Sequence, residues 1–208
     1  MDIGHPLSTV TPTVDGDVLA VLAQNEATFT PGQLRRLLGR YSEAGIRKVL
    51  MRLTEQGVVH GDRVGNAVTY RLNRDHLAAG PIIELAHLQR TLLTRLELHL
   101  ATWTIQPTYA AVFGSTARGE MTSNSDLDLL LIRPDDASQT TWDEQVAELS
   151  RAVSAWTGND TRPLEYTDSE LAGAAGERVL QDIAREGLTV AGTRAWLTRQ
   201  LRQSSAPT

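Results

Sequence analysis

The chain has 208 residues, of which 41% are apolar and 5% aromatic, and its formal net charge is −5. This length allows two small domains, each with a modest core. No apolar run approaches the roughly 20 residues of a membrane-spanning helix, and the N terminus lacks the basic and then apolar order of a signal peptide. Cysteine is absent, which excludes disulfides and thiolate metal sites and makes the cytoplasm the expected location.

Charge is divided unevenly along the chain. Residues 1–80 carry nine Lys or Arg and eight Asp or Glu, a net charge of +1, whereas residues 81–208 carry eleven and seventeen, a net charge of −6. Nucleic-acid affinity in the first part would therefore need local clusters of basic side chains rather than bulk charge.

The first third of the chain predicts three helices and a hairpin. Residues 1–13 are rich in Pro, Ser, Thr and Gly and are expected to form a flexible lead-in to a domain over residues 14–76. A first helix is expected around residues 18–22, a second begins at Thr30-Pro31, and Ser42 caps a third. The alternating segments that follow surround a Gly65-Asn66 turn, which is typical of a two-stranded hairpin.

This order resembles the winged helix-turn-helix of the MarR and ArsR-like families of transcription regulators. The resemblance rests on residues 15–73 and implies that the third helix enters the DNA major groove while the hairpin reaches the backbone or minor groove. The alternatives are that the basic residues form the solvated face of an amphipathic helix, or that the domain docks RNA or protein. The candidate nucleic-acid contacts are Ser42, Arg47, Lys48, Arg63 and Asn66.

A long connector helix is predicted over residues 77–102. It begins after Gly80-Pro81, and leucines recur along it at helical spacing from Leu85 to Leu100. This apolar stripe could pack on either domain, or it could pair with a second copy of the chain and form a homodimer. Burial within the chain is the simpler expectation.

Residues 114–132 hold the motif on which the functional prediction depends. Tyr109 to Phe113 reads as a buried strand, and Gly114 follows where the backbone turns and can approach a ligand closely. Ser115 adds a hydroxyl donor, Arg118 adds a permanent charge, and the start of a following helix would attract an anion. These groups suit a triphosphate.

The second half of the motif predicts a metal site. Asp126 and Asp128 begin a strand that runs to Arg133, so their side chains point to the same face of the sheet, opposite Leu127 and Leu129. Two neighbouring carboxylates repel each other unless a cation lies between them, and oxygen ligands suit Mg²⁺ or Mn²⁺. The alternative interpretation is that the same residues form a polar loop that leads into a strand and bind no metal.

The Gly-Ser turn followed by Asp-x-Asp resembles the signature of the DNA polymerase beta nucleotidyltransferase superfamily, in particular its small, minimal prokaryotic members. The likeness is strong over residues 114–128 and loose over residues 103–192. It implies that Gly114, Ser115, Arg118 and Ser125 bind a nucleoside triphosphate (NTP) and that Asp126 and Asp128 hold two metal ions. Such ions clamp the attacking and leaving oxygens of a displacement at the α-phosphate, with release of pyrophosphate.

The family also implies a third carboxylate on a later strand. Glu165, in the predicted strand from Arg162 to Thr167, is the candidate catalytic and metal-binding residue, and Asp160 and Asp168 compete for the role. If no third acid exists, the domain is expected to bind nucleotide but to turn over slowly or not at all.

These predictions give an α/β (α+β) fold with a small mixed sheet in the second domain. The predicted segments are a lead-in at 1–13, a winged helix-turn-helix domain at 14–76, a connector at 77–102, a nucleotidyltransferase domain at 103–203 and a flexible tail at 204–208.

The sequence is compatible with three functions. The first is transfer of a nucleoside monophosphate, AMP by default, to a hydroxyl on a protein or RNA, in a toxin–antitoxin or defence context. The second is a DNA-binding regulator whose nucleotidyltransferase domain senses nucleotide or is inactive. The third, less favoured, is nucleotidylation of an antibiotic. Such an enzyme needs an acidic pocket for a polycation, and it does not need a winged helix.

Overall fold

The chain forms two compact units in a computed structural model that describes residues 1–203. The N-terminal unit comprises residues 4–89 with Asp2, and the C-terminal unit begins at Arg90 and includes Met1 and Ile3. The division between them falls inside the predicted connector. The predicted flexible tail, 204–208, lies outside the described residues.

The N-terminal unit contains the helices and the hairpin that the sequence predicted. The two strands pair antiparallel through a turn at Gly65, whose φ of +60° suits glycine, and Phe29 forms an isolated bridge with Tyr70. A 3₁₀ turn over Pro6–Thr9 precedes the regular elements, which are α1 (Val14–Gln24), α2 (Pro31–Leu38), α3 (Glu43–Glu55), β1 (Val59–Val64), β2 (Ala67–Leu72) and α4 (Ala79–Ala86).

Side-chain caps fix where α2 and α3 begin. The Thr30 hydroxyl accepts the backbone N–H of Gln33, and the Gln33 side chain accepts the backbone N–H of Thr30, which forms a capping box ahead of Pro31. The Ser42 hydroxyl accepts the Gly45 N–H at the start of α3. The Ser42 side chain is therefore already used in a local hydrogen bond.

Two segments differ from the sequence prediction. The lead-in is packed rather than loose, because Ile3 and Leu7 are both buried. The predicted connector is two helices, α4 and α5 (Leu88–Ala101). The backbone N–H of His87 donates to the Ile83 carbonyl, and the ring Nδ1 lies 2.8 Å from that same oxygen, so α4 closes there.

The predicted leucine stripe is buried in part. Leu92, Leu96 and Leu100 of α5 belong to the core of the C-terminal unit, whereas Leu98 is exposed. Packing within the chain thus accounts for most of the α5 stripe, and a dimer through this helix stays a prediction.

Asp17 of α1 is the centre of a buried polar network in the N-terminal unit. The carboxylate is 4% exposed, it accepts hydrogen bonds from the Tyr41 hydroxyl at 2.6 Å and from the Arg40 guanidinium, and His5 Nδ1 lies 3.0 Å away. Burial raises the pKa of Asp17, but the hydrogen bonds from Tyr41 and Arg40 more than offset it, so the pKa lies below its ordinary value.

Replacing Asp17 with asparagine is expected to lower the free energy of unfolding of the N-terminal unit by about 2 kcal/mol, because charge-assisted hydrogen bonds are removed. Since the folded-state pKa is depressed, this stabilisation is complete above the unfolded-state value of about 4 and disappears as pH falls through the folded-state value. Urea denaturation followed by circular dichroism at pH 7 and pH 3 measures both effects. Asp62→Asn, which removes an exposed pair with Arg71, is the control and should change stability little; equal losses in the two variants would contradict the prediction.

The C-terminal unit is built on a four-stranded mixed sheet. The strand order is β5-β4-β3-β6, in which β4 and β6 run antiparallel to β3 and β5 runs parallel to β4. The elements after α5 are β3 (Tyr109–Phe113), α6 (Gly114–Ala117), β4 (Leu127–Arg133), α7 (Gln139–Thr157), β5 (Thr161–Thr167), α8 (Asp168–Gly173), α9 (Arg178–Glu186), β6 (Leu188–Ala191) and α10 (Arg194–Gln203).

Both faces of this sheet are covered. Leu127, Leu129 and Leu131 pack on one face, with Trp142 of α7 and the α5 leucines. Leu130 and Ile132 pack on the other, with helices α8, α9 and α10. We call these the α7 face and the α9 face of the sheet. Within the described residues, no helix is long and apolar enough to cross a membrane.

Candidate active site

Gly114 and Asp128 are packed against each other at one end of the sheet. Phe113, the last residue of β3, pairs with Asp128 in the antiparallel register, so the chain turns into α6 beside that carboxylate. Gly114 has a φ of +67°, and a Cβ added to it would lie 2.3 Å from Asp128 Oδ2. Only glycine therefore fits between the turn and the aspartate.

Asp126 and Asp128 form a half-buried pair of carboxylates on the same side of the chain. Burial raises the pKa of Asp128, and the negative charge of Asp126 raises it further, whereas Arg162 and Arg118 act in the opposite direction. A cation between the two aspartates would relieve this repulsion. Carboxylate oxygens are ligands that suit a divalent cation, and the metal at this pair stays a prediction.

The other predicted nucleotide-binding residues lie near this pair but are partly engaged. Helix α6, which begins at Gly114 and includes Ser115, is a single turn. The guanidinium of Arg118 donates to Glu120 at 2.8 Å and to Glu186 at 3.3 Å, so it is already paired with two carboxylates. The Ser125 hydroxyl accepts the Thr122 N–H at 3.0 Å and so holds the loop before Asp126.

Glu165 does not lie with the aspartates, which corrects the expectation that it completes the metal site. In β5, Leu164 and Tyr166 pack on the α9 face, the side of the sheet that Asp128 shares with Leu130. Glu165 points to the α7 face, where it accepts a 2.6 Å hydrogen bond from Trp142 Nε1. The strand register also places it beside Leu131, three residues beyond Asp128.

The competing acids do not complete a cluster either. Asp168 lies beyond the far end of β5, where it accepts a hydrogen bond from the Thr108 hydroxyl. Asp160 precedes β5, and its backbone carbonyl accepts the Leu127 N–H at 2.7 Å. Within residues 1–203, no three His, Asp or Glu side chains are grouped closely enough to hold a metal ion.

Replacing Glu165 with glutamine is expected to leave Mn²⁺ binding within about twofold of the wild type, because the side chain lies on the opposite face and glutamine can still accept the Trp142 N–H. Titration followed by electron paramagnetic resonance measures the affinity. A loss of Mn²⁺ affinity of tenfold or more would mean that Glu165 does bind the metal.

Asn159 and Arg162 contribute to the site although the sequence motif does not include them. Asn159 is 3% exposed, and its side-chain amide donates to the carbonyls of Thr122 and Ser125, which fixes the loop before Asp126. Arg162 Nη2 lies 2.9 Å from Asp126 Oδ2. The residues around Asn159 indicate only a polar turn, and a polar turn before a strand gives no sign that one amide will be buried.

A cavity of about 310 Å³ opens beside Gly114 on the α9 face. Its apolar wall is formed by Phe113, Val179 and Ile183, and Arg118, Asp182 and Glu186 are among its charged lining. The space adjoins the Gly114 turn and is large enough for a planar ring with polar substituents.

The predicted nucleic-acid residues belong to the N-terminal unit and are mostly exposed. Lys48 and Arg47 lie on the outer face of α3, and Arg47 pairs with Glu43 at the i,i+4 spacing. Arg63 and Asn66 lie in the hairpin, where Arg63 makes a 3.4 Å contact to the Gly65 carbonyl. This arrangement leaves Lys48 and Arg63 exposed at the surface of the unit.

Residues 101–175 match the protein family described as "Nucleotidyltransferase domain", and the match covers β3, β4, β5 and the aspartate pair. The C-terminal unit therefore contains a nucleotidyltransferase domain. No curated protein matches the chain.

Solved structures give distant similarities. One is a chain of a toxin–antitoxin complex with AMP-PNP, with 17% identity, a TM-score of 0.40, and coverage of 54% of this chain and 82% of that chain. A chain of the MntA–HepT toxin–antitoxin complex has 15% identity and a TM-score of 0.37, with 55% and 82% covered. A chain of the complex between the tri-AMPylated Shewanella oneidensis HEPN toxin and the MNT antitoxin has 14% identity and a TM-score of 0.38, with 56% and 82% covered.

Proposed function

We propose that the C-terminal unit transfers a nucleoside monophosphate, AMP by default, from an NTP to a hydroxyl on a protein or RNA. The observation that carries the proposal is the contact of Gly114 with Asp128, with Asp126 beside it, inside a matched nucleotidyltransferase domain. A glycine without room for a Cβ brings the backbone close to a carboxylate pair, which suits a phosphate bound through a cation.

The proposed roles follow from position. Asp126 and Asp128 would hold the cation, which would supply positive charge to neutralise the phosphate oxygens. The Gly114 turn and the Ser115 hydroxyl contact the triphosphate, and Asn159 holds the loop that carries Asp126 in place. The acceptor hydroxyl loses its proton to solvent, its oxygen bonds to the α-phosphorus as the bond to the bridging oxygen breaks, and pyrophosphate leaves.

The cavity beside Gly114 is the proposed place for the nucleoside. Phe113, Val179 and Ile183 supply an apolar surface for a ring, and the carboxylates of Asp182 and Glu186 can accept hydrogen bonds from amino or hydroxyl groups. AMP as the transferred group and a toxin–antitoxin or defence context follow from the sequence resemblance.

Incubation of the full chain with each α-³²P-labelled NTP, Mg²⁺ and a lysate of its own host tests the proposal, with protein and RNA resolved on gels. We expect label on one class of macromolecule with the wild type and none with Asp126→Ala/Asp128→Ala. Absence of label despite Mg²⁺-dependent nucleotide binding would favour a nucleotide sensor instead, and absence of both would reject the nucleotide site.

We propose as a second function that the N-terminal unit contacts nucleic acid in the manner of a winged helix-turn-helix. The observation in favour is that three helices and a hairpin leave Lys48 of α3 and Arg63 of the hairpin exposed on one small unit. Such a module could bring the transferase to an acceptor that is RNA or is bound to nucleic acid, or could act as a DNA-binding regulator.

Replacing Lys48 or Arg63 with alanine is expected to weaken binding to a fluorescent duplex of mixed sequence and to lower the salt slope by about one for each phosphate that the side chain neutralises. Fluorescence anisotropy at several salt concentrations measures this. Arg151→Ala, on the exposed side of α7, is the control; binding that neither substitution alters would argue against the α3 and hairpin surface.

A further inference from the structure

Arg162 is the residue of β5 that faces the aspartate pair. The parallel register of β4 and β5 places Arg162 directly beside Asp128, and side-chain alternation puts both on the same face of the sheet. Its Nη2 lies 2.9 Å from Asp126 Oδ2. Arg162 therefore occupies the position on β5 from which a metal-binding side chain would reach Asp126 and Asp128.

The charge of Arg162 lowers the need of this site for a second divalent cation. Asp126, Asp128 and Arg162 carry a net charge of −1, whereas a third carboxylate in place of Arg162 would make it −3, so the guanidinium supplies the two units of positive charge that one further Mg²⁺ would bring. A second ion would also need a protein oxygen ligand besides the phosphates, and at the β5 position beside Asp128 the chain has Arg162 instead of a carboxylate. Repulsion from the guanidinium opposes a second ion at the same place.

The Arg162–Asp126 pair is free to open. The Arg162 side chain is 71% exposed and that of Asp126 is 29% exposed. Exposed ion pairs add little to folding stability, so a cation bound by the aspartates can displace the guanidinium without disturbing the sheet. Arg162 would then carry its positive charge next to the bound phosphates, where it can donate two parallel hydrogen bonds.

We propose that Arg162 takes the place of a second metal ion, so that the site holds one divalent cation and Arg162 pairs with the triphosphate. The inference rests on the proposed nucleotidyl transfer and refines the two-ion expectation from the sequence. Arg162 is a binding residue in this proposal, and its charge supplies part of the neutralisation that a second ion would give.

Counting Mn²⁺ tests the proposal without relying on turnover. We use the full chain, saturating α,β-methylene-ATP and equilibrium dialysis, with bound Mn²⁺ checked by electron paramagnetic resonance. The expected result is one Mn²⁺ per chain for the wild type, and two per chain would overturn the proposal. In Arg162→Asp, which adds a carboxylate beside Asp128, we expect two, whereas Arg151→Asp on α7 should stay at one.

A second variant keeps the test decisive if Arg162→Asp fails to fold. In Arg162→Gln without nucleotide, affinity for Mn²⁺ is expected to rise about tenfold, because a positive charge beside the aspartates is removed. Affinity for the nucleotide analogue is expected to fall about tenfold, because the variant cannot make a charged hydrogen bond to phosphate. Values unchanged from Arg151→Gln in both measurements would overturn the proposal.

The outcomes separate this inference from the transferase proposal. Two Mn²⁺ ions per wild-type chain together with labelled acceptor would reject the role of Arg162 and leave transfer intact. No retained Mn²⁺ and no bound analogue would reject both.

Discussion

Substitution of Asp128 by asparagine is expected to lower the rate of nucleotidyl transfer by at least about a thousandfold. Asparagine has nearly the same shape, so the packing against Gly114 is kept while the charge that holds the cation is removed. The folded chain should be no less stable than the wild type, because Asp128 is partly buried next to the like charge of Asp126. Pyrophosphate release and thermal unfolding measure the two effects.

Asp160→Asn is the matched control for this substitution. Asp160 is an exposed carboxylate just before β5, and its replacement is expected to change transfer by less than about threefold, since it makes no contact with the cation in the proposed site. If Asp128→Asn transfers at a rate within tenfold of the wild type, Asp128 does not bind the metal.

Substitution of Gly114 by alanine is expected to reduce transfer at least about a hundredfold, because displacement of a reacting group by about 1 Å costs that much. The added Cβ would lie 2.3 Å from Asp128 Oδ2, so the turn or the carboxylate must shift. Alanine at a φ of +67° is also strained in the folded state, which is expected to lower the free energy of unfolding by about 1 kcal/mol.

Gly119→Ala separates the two causes. Gly119 has a φ of +70°, and a Cβ added there would meet nothing within 4 Å. The same backbone cost is therefore expected in thermal unfolding, whereas transfer should stay within about threefold of the wild type. Equal losses of transfer in both variants would mean that backbone strain, rather than the contact with Asp128, explains the Gly114 result.

The part of the site that lies within one stretch of sequence could be predicted, whereas the part contributed by β5 could not. Gly114, Asp126 and Asp128 follow from a turn and a strand whose geometry is fixed within fifteen residues. Which β5 residue meets the aspartates depends on the register of two strands separated by α7. A shift of one residue exchanges the faces, so Arg162 and Glu165 are distinguished only in the folded sheet.

The two covered faces of the sheet explain why the sequence placed Glu165 with the aspartates. Leu164 and Tyr166 flank Glu165 and face a core, but the sheet has one core on each side. The alternation of apolar residues in β5 therefore cannot tell which of the two cores lies on the side of Asp128. The break of the connector at His87 escaped prediction for a similar reason, because the leucine spacing continues on both sides of it.

Strand β5 forms one edge of the sheet, and Pro163 lies within it. Because the Leu127 N–H donates to the Asp160 carbonyl, the even-numbered residues of β5 bond to β4 and Pro163 belongs to the outward row. Proline has no N–H, so the outward row of donors is interrupted between Thr161 and Glu165. A peptide cannot extend the sheet continuously along β5, and this edge is protected from strand-to-strand aggregation.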